Sequence, residues 1–186
     1  VGMLANGIIN SGALGQFPPA LEELHGASVQ AAIISLYSLV GIFGKIFIGW
    51  INDKFGVVVS ATYGCIMFGL AFVFMLLGQN TNMLYIMAVV FGFGNAIGTV
   101  IPPLVTSEVF GMEKYPEAYG MVNSATQVGL SLGSLLVASM YDLNGSYTLA
   151  WMLLLVLTAV TLFSWVGSCL AAKRYMASDV ELKQAQ

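Results

Sequence analysis

Charge is what this sequence lacks most. Of 186 residues only six are Lys or Arg and nine are Asp or Glu, 8% of the chain, against a hydrophobic share of 58%. A soluble domain averages ~25% charged and ~45–50% apolar residues, so a water-facing surface cannot be built from this supply. The scarcity of basic residues and the net charge of −3 argue against nucleic-acid binding, which needs Lys and Arg to neutralise phosphates. Two cysteines, Cys65 and Cys169, are too few and too far apart for a disulfide scaffold or a zinc motif. There is one histidine, no carboxylate pair inside an apolar run and no Gly-rich loop before a Lys-Ser/Thr pair. No enzyme site, metal or cofactor is therefore expected. Two-residue alternation is also missing, which excludes a β-barrel.

What the chain has instead is long uncharged runs. Residues 1–21, 55–107, 118–141 and 143–172 carry no charge, and residues 26–52 hold one cation, Lys45. A bilayer core of ~30 Å needs about 20 helical residues. The run 55–107 would be ~80 Å long as one helix, so it must turn back, and Gln79-Asn80-Thr81-Asn82 is the polar place to do so. The reading is an all-α integral membrane protein with six spans, near 1–20, 28–51, 57–78, 83–107, 117–141 and 147–172. Ser28 and Ser146 are expected as N-caps, and Pro116-Glu117 in a first turn. Residues 1–172 form the membrane unit and 173–186 a polar, fraying tail.

Orientation follows from the cations. Lys45, Lys54, Lys114, Lys173, Arg174 and Lys183 all lie at the second-to-third loop, the fourth-to-fifth loop and the C-terminal tail, or one helix end away. The positive-inside rule makes those regions, with the C-terminus, cytoplasmic. Glu22, Glu23, His25 and Asp142 then lie outside, with His25 a solvated loop residue. The chain opens on Val1, already apolar, with no basic start or cleavage site. The expectation is a piece cut at or near the start of a membrane helix.

The sequence also repeats. Gly44, Asp53 and Gly56 match Gly133, Asp142 and Gly145 at one offset of 89 residues. The two segments cross the membrane in opposite directions. Two inverted three-helix repeats are a recognised way to build half of a secondary transporter.

These residues carry a family resemblance. Gly49-Trp50-Ile51-Asn52-Asp53-Lys54-Phe55-Gly56 resembles the G-x-x-x-D-[RK]-x-G loop signature of the major facilitator superfamily, although Val57-Val58-Val59 stands where many members carry a basic pair. Glu108-Val109-Phe110-Gly111 with Tyr119-Gly120 is similar to the pattern between the fourth and fifth spans in the oxalate–formate antiporter and monocarboxylate porter branch. The resemblance implies the C-terminal six-helix half of a transporter working by alternating access, with the N-terminal half as its missing partner.

Polar side chains at membrane depth are costly and face a cavity or partner helices. Asn6 and Asn10 in the first span, Lys45 in the second, Asn95 in the fourth, and Asn123, Thr126 and Gln127 in the fifth are the candidate substrate contacts. The third and sixth spans hold no amide or charge and are expected to face lipid. Gly94 and Gly98, like Gly129 and Gly133, are read as helix-packing residues. Pro102-Pro103 should break the fourth span. The resemblance implies that Lys45 meets a substrate carboxylate, since the monocarboxylate porters place a basic residue there. Those porters often carry an Asp four residues earlier, where this chain has Gly41; this implies exchange or facilitated diffusion rather than proton coupling. The antiporters place a Lys where Thr126 stands, so one cation points to a monocarboxylate. Asp53, Lys54 and Glu108 are expected to form a cytoplasmic gate, Asp53 near the start of the fifth span and Lys54 paired with Glu108 or Glu113.

The expected function is transport of a small organic anion across a plasma (inner) membrane, with the lipid bilayer as solvent. The alternatives are a non-transporting sensor or assembly module, and a transporter of a neutral or cationic solute.

Overall fold

A computed structural model describes residues 1–184, with side chains through Tyr175; Lys183, expected in the cytoplasmic tail, has its side chain outside the described residues. All the secondary structure described is helical: α1 (Gly2–His25), α2 (Ala27–Phe55), α3 (Val57–Leu76), α4 (Thr81–Gly94), a 3-10 turn (Asn95–Gly98), α5 (Ile101–Asn144) and α6 (Thr148–Gln184). Four stretches are long and apolar enough to cross a membrane: Ala27–Phe55, Val57–Leu76, Thr81–Asn144 and Thr148–Tyr175. Six were expected. The 24-residue α1 has the length, but Asn6, Asn10, Gln16, Glu22 and Glu23 lower its hydropathy. The fourth and fifth spans form one 64-residue stretch that is broken inside α5 at Gly111 (φ 72°, ψ 166°).

Glycine sets the turns. Gly26 (82°, 166°), Gly56 (84°, 174°) and Gly111 share one backbone conformation, a region open essentially to glycine alone. Gly26 donates its N–H to the Glu22 carbonyl, and its own carbonyl accepts from Gln30. Gly56 does the same between Asn52 and Ser60. A single residue thus closes one helix ladder and opens the next. This corrects two expectations. The cap of α2 is Gly26, with no side-chain cap, and Ser28 lies inside the helix. The chain turns at Gly111, so Pro116 lies in the helix interior rather than at its first position. Ser146 does act at a helix start, its hydroxyl accepting from Thr148 N at 3.2 Å. The tail expected to fray continues α6 as far as Gln184.

Gly145 turns differently, in the left-handed helical region (64°, 18°), which Asn tolerates. Gly145→Asn should leave the melting temperature of detergent-purified protein nearly unchanged, whereas Gly111→Asn should cost ~1–3 kcal/mol. Scanning fluorimetry checks both. An added Cβ would meet nothing within 4 Å at either position, so backbone strain alone separates them.

The core is an aromatic cluster. Phe17 of α1 packs against Phe91 of α4 (ring centroids 5.0 Å), Trp151 of α6 (5.3 Å) and Phe72 of α3 (6.1 Å). Phe68 and Phe72 are fully buried, so α3 packs one face inward and leaves Ile66 and Leu70 on the other exposed. By contrast α2 presents Leu39, Ile42, Phe43 and Ile46 uncovered.

Candidate functional site

Two close helix contacts frame a groove. At α1 and α5, Gly7 lies against the Thr126 carbonyl, Gly129 against the Leu4 carbonyl and Gly133 against the Ile8 carbonyl. At α2 and α4, Gly44 lies against the Gly92 carbonyl, and Gly92 against Val40. Small residues let backbones approach this closely, so Gly129 and Gly133 pack as expected. Gly94 packs on α3 beside Phe68 N, and Gly98 takes the Asn10 side chain.

The fourth span breaks where the groove lies. After α4 the chain tightens into the 3-10 turn Asn95–Gly98 and resumes as α5 at Ile101. Pro102 and Pro103 have no N–H, so the carbonyls of Gly98 and Thr99 lose the donors an unbroken helix would give them. The Thr106 hydroxyl donates to the Pro102 carbonyl at 2.8 Å, one turn beyond the break. Irregular backbone at membrane depth is tolerated where it is buried or lines a cavity.

That cavity is about 250 Å³, lined by Asn6, Asn10, Lys45, Asn95, Thr99 and Thr126, with Gly7, Gly98, Leu14 and Leu130. Five of the seven expected substrate contacts therefore converge: Asn6, Asn10, Lys45, Asn95 and Thr126. Asn123 and Gln127 do not line it: Gln127 turns to an exposed position, and Asn123, on the face of Thr126 and Leu130, lies a turn before the groove. Neither α3 nor α6 contributes. Thr126 donates its hydroxyl proton to the Val122 carbonyl of its own helix at 3.2 Å. It therefore offers the groove an acceptor, not a donor. Thr99 was not a candidate; the proline pair three residues on was the signal for it.

Within the groove the amides have fixed roles. Asn10 Nδ2 donates to the Asn6 carbonyl at 2.8 Å and to Asn6 Oδ1 at 2.9 Å. Asn6 is fully buried, and its Nδ2 has no partner. Lys45 is exposed and forms no ion pair or hydrogen bond among the described residues.

The expected gate residues are separated. Glu108 pairs with Lys173 of α6 at 3.2 Å, not with Lys54; the last turn of α5 before Gly111 lies beside α6. The pair is part-exposed and worth ~0–1 kcal/mol. Lys54 instead lies over the rings of Trp50 (5.2 Å) and Phe55 (5.5 Å). Asp53 is exposed and makes no hydrogen bond or ion pair among the described residues. His25 is also corrected. Because α1 runs five residues past the expected end, His25 is half-buried against the turn after α3. Its Nε2 lies 2.7 Å from the Gly78 carbonyl, an acceptor, and so carries the proton; Nδ1 lies 3.3 Å from Thr81 Oγ1.

Comparison with known proteins agrees with this architecture. The profile of the Major Facilitator Superfamily matches residues 1–181. Monocarboxylate transporter 9 of Pongo abelii is 29% identical over 152 residues, covering 74% of this chain and 29% of the relative. Monocarboxylate transporter 12 of Homo sapiens is 27% identical over 135 residues, covering 69% and 26%. The chain thus spans less than a third of the length of the curated relatives it matches. No solved structure gives a significant match.

Proposed function

Because the chain belongs to the major facilitator superfamily, we propose that it is the C-terminal half of a membrane transporter that carries a small organic anion, a monocarboxylate by preference, by alternating access. The observation that carries this reading is Lys45. It is a cation without a counter-charge among the described residues, on the wall of a groove whose other polar groups are neutral. A single negative charge entering there completes the electrostatics, and a second would be left unpaired. Similarity to proteins named monocarboxylate transporters points the same way.

Reciprocal packing supports the inverted-repeat reading. Gly44 of α2 packs on α4, and Gly133, its match at the 89-residue offset, packs on α1. The second helix of each proposed repeat thus contacts the first helix of the other. The turns at Gly26 and Gly111, which end the first helix of each, share one conformation. The uncovered apolar faces of α2 and of α5 around Leu132 and Leu135 suit the missing half as their partner. In this reading the membrane is the plasma (inner) membrane with the C-terminus cytoplasmic, the side on which the cations collect. Asp53, unpaired in this half, serves the cytoplasmic gate, and the Glu108–Lys173 pair ties the helix ends beside it.

The test is uptake by the full-length protein in proteoliposomes, using radiolabelled pyruvate, lactate and propionate with their primary amides as uncharged controls. Saturable uptake of at least one acid, and of none of the amides, is the expected result. Uptake of the amides at equal rate, or of no acid, would sink the reading.

A further inference from the structure

A buried, unsatisfied donor is expensive, costing ~1–3 kcal/mol, and such groups are rare in native structures. Asn6 Nδ2 is one: its side chain is 0% exposed, it lines the groove, and neither of its protons has an acceptor.

Its orientation is not arbitrary. Asn10 must present nitrogen to the Asn6 backbone carbonyl, because a carbonyl only accepts. The same Nδ2 then places its second proton on Asn6 Oδ1. That contact fixes which end of the Asn6 amide is oxygen, and leaves the NH2 as the free end. Asn10 in turn is seated by Gly98: a Cβ there would lie 2.8 Å from Asn10 Cγ, so only glycine leaves room for it. Both Asn10 amide protons are used, so Asn10 has none to offer a ligand. Asn6 has two.

We propose that Asn6 is a substrate-binding residue whose amide N–H groups take a carboxylate oxygen in the groove that Lys45 lines, and that Asn10 is the positioning residue that aims them. This rests on the transport reading above. It adds a selection rule that a lone cation would not give. The free end of the Asn6 amide offers donors only, so it meets an acceptor, as each oxygen of an ionised carboxylate is. An ammonium brought to the same place would set donor against donor, and a carboxamide could offer its oxygen but no charge for Lys45.

The test uses full-length protein in proteoliposomes and the acid of the panel taken up fastest. Asn6→Leu should raise KM about tenfold or more, the loss of one hydrogen bond to a charged group, with Vmax within about twofold. Its melting temperature should fall only modestly, because the substitution removes one orphaned donor while taking the acceptor from one Asn10 proton. Asn10→Ala should raise KM about threefold, since the Asn6 amide is freed to rotate while its donors survive. An unchanged KM in Asn6→Leu would overturn the proposal by assigning the free amide to water alone. Asn6→Asp keeps an oxygen for Asn10 and replaces the free NH2 by an acceptor, so it should raise KM at least as much; an unchanged KM in Asn6→Asp would overturn the proposal whether or not Asn6→Leu folds. If the wild-type protein takes up no acid, the transport reading fails first, an outcome distinguishable from either.

Discussion

Gly133→Val is expected to leave no folded protein in the membrane. The Cβ position at Gly133 falls on the Ile8 carbonyl and 2.9 Å from Gly12 N, both of them backbone atoms of α1. Backbone inside a helix cannot swing aside as a side chain can, so α1 and α5 must separate along their length. A Cβ at Gly129, one turn away, would lie 3.0 Å from both Gly7 Cα and Ile8 N, so relief at one position opens the other. Overpacking costs ~1–3 kcal/mol when side chains can yield; here the whole seam must move, and the cost lies at or above that range. Water supplies no hydrophobic drive between helices in lipid, and association rests on close packing itself. Gly167→Val is the control, because a Cβ there meets nothing within 4 Å. Expression and gel-filtration profiles of the fluorescently tagged full-length protein check both. A monodisperse Gly133→Val protein at wild-type yield would show that the seam is not as close as described.

The same seam shows how far the sequence could be read. Polar residues inside apolar runs pointed to Asn6, Asn10, Lys45 and Asn95, because burying an amide in lipid has few physical outcomes. Choosing among Asn123, Thr126 and Gln127 required the rotation of α5 about its axis, which hydropathy does not give. Each residue turns an α-helix by about 100°. With Gly129 facing α1, Thr126 lies ~60° from it, groove-lining Leu130 ~100°, Asn123 ~120° and Gln127 ~160° in the same sense, so phase sets Gln127 apart, whereas Asn123 is set apart by its height, one turn before Thr126. The close-packing glycines therefore held the phase, and they were read only as packing. The turn at Gly111 was missed for another reason. Pro116 is as good a helix starter as it is a tolerated interior residue, and the positive φ of Gly111 leaves no mark in composition. Lys54 was expected to pair with Glu108 or Glu113 because the cations collect near the same loops, and charge alone does not rank them. The packing of α5 beside α6 selects Lys173 for Glu108.

Lys45→Ala should lower uptake of the transported acid at least tenfold at normal surface expression. The ammonium is the cation that lines the groove, and a hydrogen bond to a charged group contributes ~1.5–3 kcal/mol, or about 10- to 100-fold in affinity. Losing it also leaves the carboxylate desolvated without compensation, which adds to the cost. Two further variants separate charge from hydrogen bonding. Lys45→Gln keeps donors and removes charge, and should behave nearly as poorly as alanine. Lys45→Arg keeps charge but replaces a compact ammonium with a planar fork, so it should retain part of the uptake with a raised KM. The competing role for Lys45 is anchorage, its long stem reaching the cytoplasmic headgroups. Anchorage predicts lower surface expression with normal uptake per molecule, and equal tolerance of Gln and Arg. Lys54→Ala gives the comparison, since Lys54 rests on Trp50 and Phe55 outside the groove and its loss should leave KM unchanged. If Lys45→Ala keeps full uptake per molecule, Lys45 is an anchor, the groove has no cation for a carboxylate, and selection of an anion must come from the other half of the transporter.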